Sequence, residues 1–215
     1  MPEKRVKMKK VALFFLVLLS ICCNAQNVSS VFGNMPKDLI LLVDSTLRQN
    51  LMDFHKNGIS DNIKDKLDGK ITLNRLNDDF MELISGNFSI QIALLKLVND
   101  SKIICLIQTV CAPVCDSRLS FYTIDWKLLN PSDFILPVNF LWFIKDDIDK
   151  TGEDFMNVSK SLDLDLMQFR IDPEKFELTQ TYTTPQYLSK EDREVLEPFL
   201  KREPKVFVWE KMGFK

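Results

Sequence analysis

Histidine is almost absent from this sequence, which contains His55 alone. A zinc site built from several histidines is therefore excluded, and any Ser-His-Asp or Cys-His mechanism would have to use His55. His55 and Asp53 are two residues apart, so in a helix they would lie on different faces. We interpret His55 as a partly exposed helix residue without a catalytic partner.

Motifs that carry chemistry are also missing. The chain contains no GxSxG, no phosphate-binding glycine loop and no HExxH. Glycine occurs only six times, which argues against long flexible linkers. Carboxylates are plentiful, but nothing in the sequence places two of them at the separation that a glycosidase requires. The sequence therefore predicts no catalytic residue and no cofactor.

A hydrophobic run long enough to cross a bilayer is missing as well. The apolar run at residues 11–22 has about a dozen residues, whereas a spanning helix needs about 20. It follows a basic segment that ends at Lys10 and precedes the small-residue site Cys23-Asn24-Ala25. This order predicts a signal peptide in residues 1–25 and export to the periplasm or the outer membrane.

Two alternatives stay open at this end of the chain. Met8 precedes the same basic and apolar segments, so it could be the true start. Lipidation of Cys22 is the second alternative, but Ile21 is bulky where a lipidation site needs a small residue. We favour cleavage after Ala25.

The predicted mature chain is acidic and of single-domain size. Removing residues 1–25 leaves 23 Lys and Arg against 29 Asp and Glu, a net charge of −6. This charge argues against nucleic acid and anionic membrane surfaces as partners. We expect a monomer without a further transmembrane segment, whose partner is an unknown envelope protein or polymer.

Helical signals occur near both ends of the mature chain. Residues 26–35 lack periodicity and are predicted to be a loose leader. Pro36 suits a first helical turn, and Thr46 with Gln49 forms a capping box for a helix that ends at Gly58. Ser189 marks the start of a C-terminal helix.

Between these helices the hydrophobic period is two, which is typical of strands. We predict an antiparallel meander, followed by a short buried strand, a hairpin and a last strand. The ranges are 70–76, 80–84, 88–98, 103–110 and 119–126, then 140–144, 164–171 with 176–182, and 206–209. The predicted class is α+β, a mainly antiparallel sheet packed by an N-terminal helical segment and a C-terminal helix. Parts 26–130 and 131–215 should pack as one unit, and their order of helices and strands allows an internal duplication.

The mature chain has three cysteines, and export makes a disulfide between two of them plausible on chemical grounds. Cys111 and Cys115 flank a predicted turn at Pro113, which could bring their Cα atoms into the usual range of about 4.4–6.8 Å. The alternation of its predicted strand places Cys105 on the buried face. We predict a structural bridge between Cys111 and Cys115; a redox role is the alternative, although the spacing is not CxxC.

One acidic stretch resembles the start of a calcium loop. Asp147, Asp149, Thr151 and Gly152 match the first six positions of such a loop. The match then fails at position 12, where Val158 cannot supply a carboxylate. We interpret the stretch as a solvated acidic turn, with Asp147, Asp149 and Thr151 as a weaker Ca²⁺ candidate.

Several segments resemble one uncharacterised family of exported Bacteroidales proteins, catalogued as domain of unknown function 3256. The most specific are Cys111-Ala112-Pro113-Val114-Cys115-Asp116-Ser117-Arg118 and Phe121-Tyr122-Thr123-Ile124-Asp125-Trp126, and Tyr187-Leu188-Ser189-Lys190-Glu191-Asp192 is a further one. The resemblance covers nearly all of the mature chain. It implies an exported α+β protein of a Gram-negative bacterium and assigns no catalytic residue.

The same resemblance makes Ser45 a glycosylation candidate. Asp44-Ser45-Thr46 is similar to the O-glycosylation sequon of that bacterial group, although we favour a helix cap at this position.

Two functions follow as hypotheses. The first is a non-enzymatic binding or accessory protein of the envelope that works through a sheet face or edge. The second is a carboxylate-dependent hydrolase of envelope or dietary polymers. A shallow surface would favour the first, and a cleft with two carboxylates of raised pKa the second.

Asp116, Arg118 and Trp126 are predicted to be structural. We expect Asp116 to cap the turn before it, Arg118 to bridge a carboxylate or turn carbonyls, and Trp126 to close one end of the core with its N–H on a carbonyl. Arg118 and Trp126 are weaker binding candidates.

Overall fold

The computed structural model describes residues 27–59, 63–160, 162 and 164–215, so the predicted signal peptide lies outside the described residues. Within them, nine strands form a six-stranded and a three-stranded antiparallel sheet. Short helices flank both sheets. The α+β class and its meander are therefore confirmed.

Strands β1 to β6 lie side by side in chain order, because short turns join antiparallel neighbours. Their bounds are Ile71–Leu76, Phe80–Ser85, Phe88–Lys96, Lys102–Cys111, Cys115–Thr123 and Leu128–Leu129. The register of β1 against β2 shifts between Leu73 and Arg75. This irregularity exposes Arg75, which strict alternation would place beside the buried Ile71 and Leu73.

Two helices cover one face of the six-stranded sheet, α1 at Val28–Gly33 and α2 at Ser45–Lys56. The prediction of a loose leader at residues 26–35 was wrong for the described part. Val28 and Phe32 of α1 are fully buried against the sheet. Six residues are too few to display a helical period, which is why the pattern was not visible in the sequence.

The N-terminus of α2 is capped by Asp44, not by the predicted Thr46. The Asp44 carboxylate accepts a hydrogen bond from the Leu47 amide at 2.9 Å, and this bond holds the pKa of Asp44 below its usual value. One turn later, Arg48 is buried between α1 and α2. It donates to the carbonyls of Phe32 and Met35 at 2.9 and 2.6 Å, where α1 ends.

The three-stranded sheet covers part of the opposite face. It consists of β7 (Met167–Ile171), β8 (Glu177–Tyr182) and β9 (Lys205–Val208) in that order. The hairpin and the last strand predicted from the sequence are thus confirmed. Apolar side chains of both sheets, including Leu95, Phe121 and Phe207, form one buried cluster.

Residues 140–144 do not form the predicted strand. Phe140–Phe143 is a 3₁₀ helix, and the side chain of Asn139 accepts from the Leu141 amide. An apolar run this short does not distinguish a strand from a buried helical turn, and the Asn139 cap favours the helical turn.

The C-terminal helix begins after Ser189, as predicted, and the Ser189 hydroxyl accepts from the Asp192 amide. Among its described residues, the second half contains three α-helices: α3 at Glu153–Ser159, α4 at Thr184–Tyr187 and α5 at Lys190–Leu196. Helix α5 packs against α3 and α4, whereas strands from the second half cover the six-stranded sheet. The internal duplication stays a prediction. Every helix in the described ranges is too short or too polar to cross a bilayer.

Candidate functional site

The edge strand β7 is attached to the six-stranded sheet through side chains. Three of its amides point away from β8, and each donates to a side-chain oxygen of the larger sheet. They are the amides of Met167, Phe169 and Ile171, which donate to Asp116 Oδ1 at 3.1 Å, Ser117 Oγ at 3.0 Å and Gln91 Oε1 at 3.1 Å. The outward N–H groups of this edge strand therefore have partners within the protein.

A cleft of about 290 Å³ lies between this edge and the ends of strands β2 to β5. The cleft borders the apolar core, and many of the side chains that line it are polar. The lining residues are Glu82, Ile84, Gly86, Asn87, Phe88, Ser89, Gln91, Thr109, Cys111, Cys115, Gln168, Phe169 and Arg170. Glu82 and Arg170 are the two charged residues of this lining, so the cleft is electrically balanced.

Glu82 is the centre of the polar network of the cleft. Only 5% of the residue is exposed. Its carboxylate accepts from Asn74 Nδ2 at 2.5 Å, Gln91 Nε2 at 2.8 Å and Arg170 Nη2 at 3.4 Å. Because a carboxylate offers about four acceptor positions, these contacts compensate the buried charge and leave about one position unused.

Three further polar side chains of the cleft make no hydrogen bond with the described part of the chain. They are the exposed Asn87 and the half-buried Ser89 on β3 and Gln168 on β7. Thr109 and Ser117 bond each other through their hydroxyls at 2.8 Å. The cleft thus presents unused donors and acceptors beside a network that is already held in place.

The predicted disulfide Cys111–Cys115 is present, and it forms one wall of the cleft. The two residues are register partners in β4 and β5. Their Cα atoms are 3.8 Å apart, closer than the expected range of about 4.4–6.8 Å. Cys105 is free and buried, and burial raises the pKa of its thiol.

The structure places Asp116 and Arg118 differently from the prediction. Asp116 does not cap its own turn; it accepts from the Met167 amide 51 residues away. Arg118 is exposed and opposite Gln108. In the described ranges its guanidinium bridges neither a carboxylate nor a turn carbonyl, and it does not line the cleft.

Trp126 has the structural contacts expected of it. Its Nε1 donates to the Val31 carbonyl at 3.0 Å, and its ring lies 5.3 Å from that of Tyr122. It is half-buried on the helical side of the six-stranded sheet and does not line the cleft.

The remaining sequence candidates lie outside the cleft. Asp149 accepts from the Thr151 amide and hydroxyl, and these bonds lower its pKa. Within the described ranges, no three His, Cys, Asp or Glu side chains converge as metal ligands would. The Ca²⁺ candidate at Asp147, Asp149 and Thr151 stays a prediction.

Ser45 is exposed at the start of α2, and His55 Nδ1 lies 3.2 Å from the Leu73 carbonyl oxygen.

One carboxyl group among the described residues has a raised pKa. Burial raises the pKa of Asp165, and the negative charge of Asp116 raises it further. Neither residue lines the cleft.

The sequence analysis did not identify Glu82 and Gln91. A signal was nevertheless present, because both are polar residues between apolar ones in strands with apolar faces: Met81-Glu82-Leu83 and Ile90-Gln91-Ile92. A polar residue inside such a strand needs a partner once it is buried.

The fold and the cleft define a layered α+β protein with a small polar recess between two antiparallel sheets. The chain belongs to the family described as Protein of unknown function (DUF3256), whose model matches residues 20–214. The predicted family resemblance is thus confirmed.

The fold is similar to a solved domain of an uncharacterized protein from Porphyromonas gingivalis W83. The TM-score is 0.76 with 25% identity, covering 87% of this chain and 98% of that domain. Curated proteins gave no match.

Proposed function

We propose that this protein is a non-enzymatic binding or accessory protein of the cell envelope, with the cleft as its binding site. The proposal rests on the burial and the hydrogen bonds of the Glu82 carboxylate. This carboxylate is buried, accepts three hydrogen bonds and has no second carboxylate beside it in the cleft lining. A hydrolase would need a free acid or base, usually paired.

Binding in the cleft can be tested by ligand-observed NMR with defined compounds. The panel contains neutral hexoses, free amino acids, dipeptides and nucleosides. We expect at least one compound to bind and to remain chemically unchanged overnight. A panel without any binder, or a bound compound that is converted, would overturn the proposal.

A pair of variants links binding to the cleft. Ser89→Ala with Gln168→Ala removes two unused polar groups and no described side-chain hydrogen bond, so the fold should persist. Ser132→Ala with Gln186→Ala makes the same chemical changes at exposed positions away from the cleft. We expect the first pair to weaken binding about tenfold, and the control pair to leave it unchanged.

Export to the periplasm or the outer membrane is part of the same proposal. It is supported by the order of basic, apolar and small residues in 1–25. Mass spectrometry of the processed protein should give an N-terminus at Gln26. A lipid-modified Cys22 would contradict this.

The hydrolase is the second candidate, and the raised pKa of Asp165 is the observation in its favour. If the protein is a hydrolase, it should release reducing ends from envelope polysaccharide, and the Asp165→Asn variant should lose this activity.

A further inference from the structure

We infer that the cleft takes a neutral, polyhydroxylated ligand of about one sugar unit. This inference rests on the proposed function and adds the class of ligand to it. Its first support is charge. Glu82 and Arg170 are the charged residues of the lining, and they already contact each other at 3.4 Å. Glu82 is buried, whereas the Arg170 side chain is 63% exposed. An anionic ligand would draw Arg170 away from the buried carboxylate, and a cationic ligand would have to displace Arg170 from it, so either would disturb a contact that already compensates the charge of Glu82.

The second support is the pattern of unused hydrogen-bonding groups. Glu82 keeps about one acceptor position, and the amide of Gln91 keeps one N–H after donating to Glu82. Ser89 and Gln168 add a hydroxyl and a second amide. The cleft therefore offers both donors and acceptors. A hydroxyl group both donates and accepts, so a ligand with several hydroxyls can match each position in turn.

The third support separates a sugar from an extended peptide. A peptide that adds a strand to a sheet needs free backbone groups on an edge strand. The edge that borders the cleft is β7, and its outward amides at Met167, Phe169 and Ile171 already donate to side chains. The cleft therefore offers side-chain groups, and the strand edge beside it lacks the free N–H groups that strand addition would need.

Size agrees with this class of ligand. About 290 Å³ corresponds to roughly ten water molecules at liquid density, and it lies near the lower limit of typical ligand pockets. One hexose fits this space, while a longer chain would have to extend out of the cleft.

The test is isothermal titration of the full mature chain with single, named compounds. The neutral probes are glucose, galactose, mannose and N-acetylglucosamine. Glucuronic acid and glucosamine are their charged counterparts, and Ala-Ala is the peptide probe. We expect at least one neutral sugar to bind, and its charged counterpart to bind at least tenfold more weakly.

The cleft variants complete the test. Ser89→Ala with Gln168→Ala should weaken sugar binding about tenfold while the melting temperature stays that of the wild type. Ser132→Ala with Gln186→Ala should bind as the wild type does.

The outcomes distinguish this inference from the proposed function. Binding of Ala-Ala or of a charged sugar in preference to the neutral sugars, lost in the cleft variant, would overturn the ligand class and support a binding cleft. Binding of none of the probes, nor of the wider NMR panel, would overturn both. Sugar binding that survives in the cleft variant would also overturn the inference, because the sugar would then occupy another site.

Discussion

Trp126 connects the end of β5 to the first helix. Its indole N–H donates to the Val31 carbonyl, and its ring packs on Tyr122. Because the side chain is only half-buried, we expect Trp126→Ala to lower the free energy of unfolding by about 2–4 kcal/mol, somewhat less than full burial would give. Trp126→Phe keeps most of the packing and should lose about 1 kcal/mol, from the hydrogen bond.

Thermal unfolding measures these differences, with the exposed Leu128→Ala as control. A melting temperature of Trp126→Ala within about one degree of wild type would contradict the structural role.

Residue roles were predictable where they depend on local chemistry. The Cys111–Cys115 pair and the structural role of Trp126 followed from spacing and residue type. Arg48 and Asp116 were not predictable, because their partners are 13–16 and 51 residues away along the chain. The same reason explains Glu82, whose network joins β1, β2, β3 and β7.

At the level of elements, the β4–β5 hairpin connects the disulfide to the attachment of β7. Asp116 and Ser117, which accept from β7 amides, follow directly after Cys115. Cys111→Ser with Cys115→Ser should cost about 2 kcal/mol, as expected for so short a loop. It should also speed amide hydrogen exchange at Met167 and Phe169.

Dithiothreitol should produce the same changes in the wild type and none in the double variant. Peptide mapping under non-reducing conditions that found both thiols free in periplasmic protein would refute the bridge.

The loop before β1 should make stability depend on pH. Asp65 accepts from the amides of Leu67 and Gly69 and from the hydroxyl of Ser85 in β2. These bonds, the Ser85 bond first, lower the pKa of Asp65. A carboxyl group with a lowered folded-state pKa stabilises the protein above its unfolded pKa of about 3.9, and this contribution is lost as pH falls through the folded value.

We therefore expect Asp65→Asn to melt about 2–4 °C below wild type at pH 7, with a difference that shrinks below about pH 4. Asp68→Asn is the control, because Asp68 is exposed in the same loop. A difference that stayed constant across this pH range would contradict the role of the Asp65 carboxylate.

Long strands were predicted well, and short helices were not. Strands β3 and β4 contain nine and ten residues, long enough for their apolar runs to be recognised as strands, and a tight turn joins them. Helix α1 and the 3₁₀ helix at Phe140–Phe143 contain six and four residues. Tertiary contacts decide the conformation of such short segments, as the burial of Phe32 and Phe143 shows.

At the scale of the whole molecule, the sequence predicted the fold class but not how the two sheets meet. The alternation of each strand shows which residues share a face, and not which sheet covers that face. The cleft arises only where the two sheets meet, so its lining comes from both halves of the chain. This is why the local patterns around Glu82 and Gln168 did not indicate a common site.

The contacts between the sheets predict how the molecule unfolds. Besides the three bonds to β7 amides, Thr183 Oγ1 donates to the Cys115 carbonyl and Trp209 Nε1 to the Lys96 carbonyl. The sheets also share a buried apolar cluster. We therefore expect a single unfolding transition, in which amides of β3 and of β8 become exchangeable with the same free energy.

Asp116→Ala with Ser117→Ala removes two of the three acceptors that hold β7, and it leaves the amides of Met167 and Phe169 without partners. Unpaired buried amides cost about 1–3 kcal/mol each, and this cost falls on the smaller sheet. Hydrogen exchange of β7 and β8 should then become faster than that of β3 and β4. Ser132→Ala with Asp133→Ala, an exposed pair of the same residue types, should leave the two sheets coupled. Separate transitions in the wild type would contradict the coupling of the two sheets. Equal exchange in the first variant would mean that the apolar cluster alone joins them.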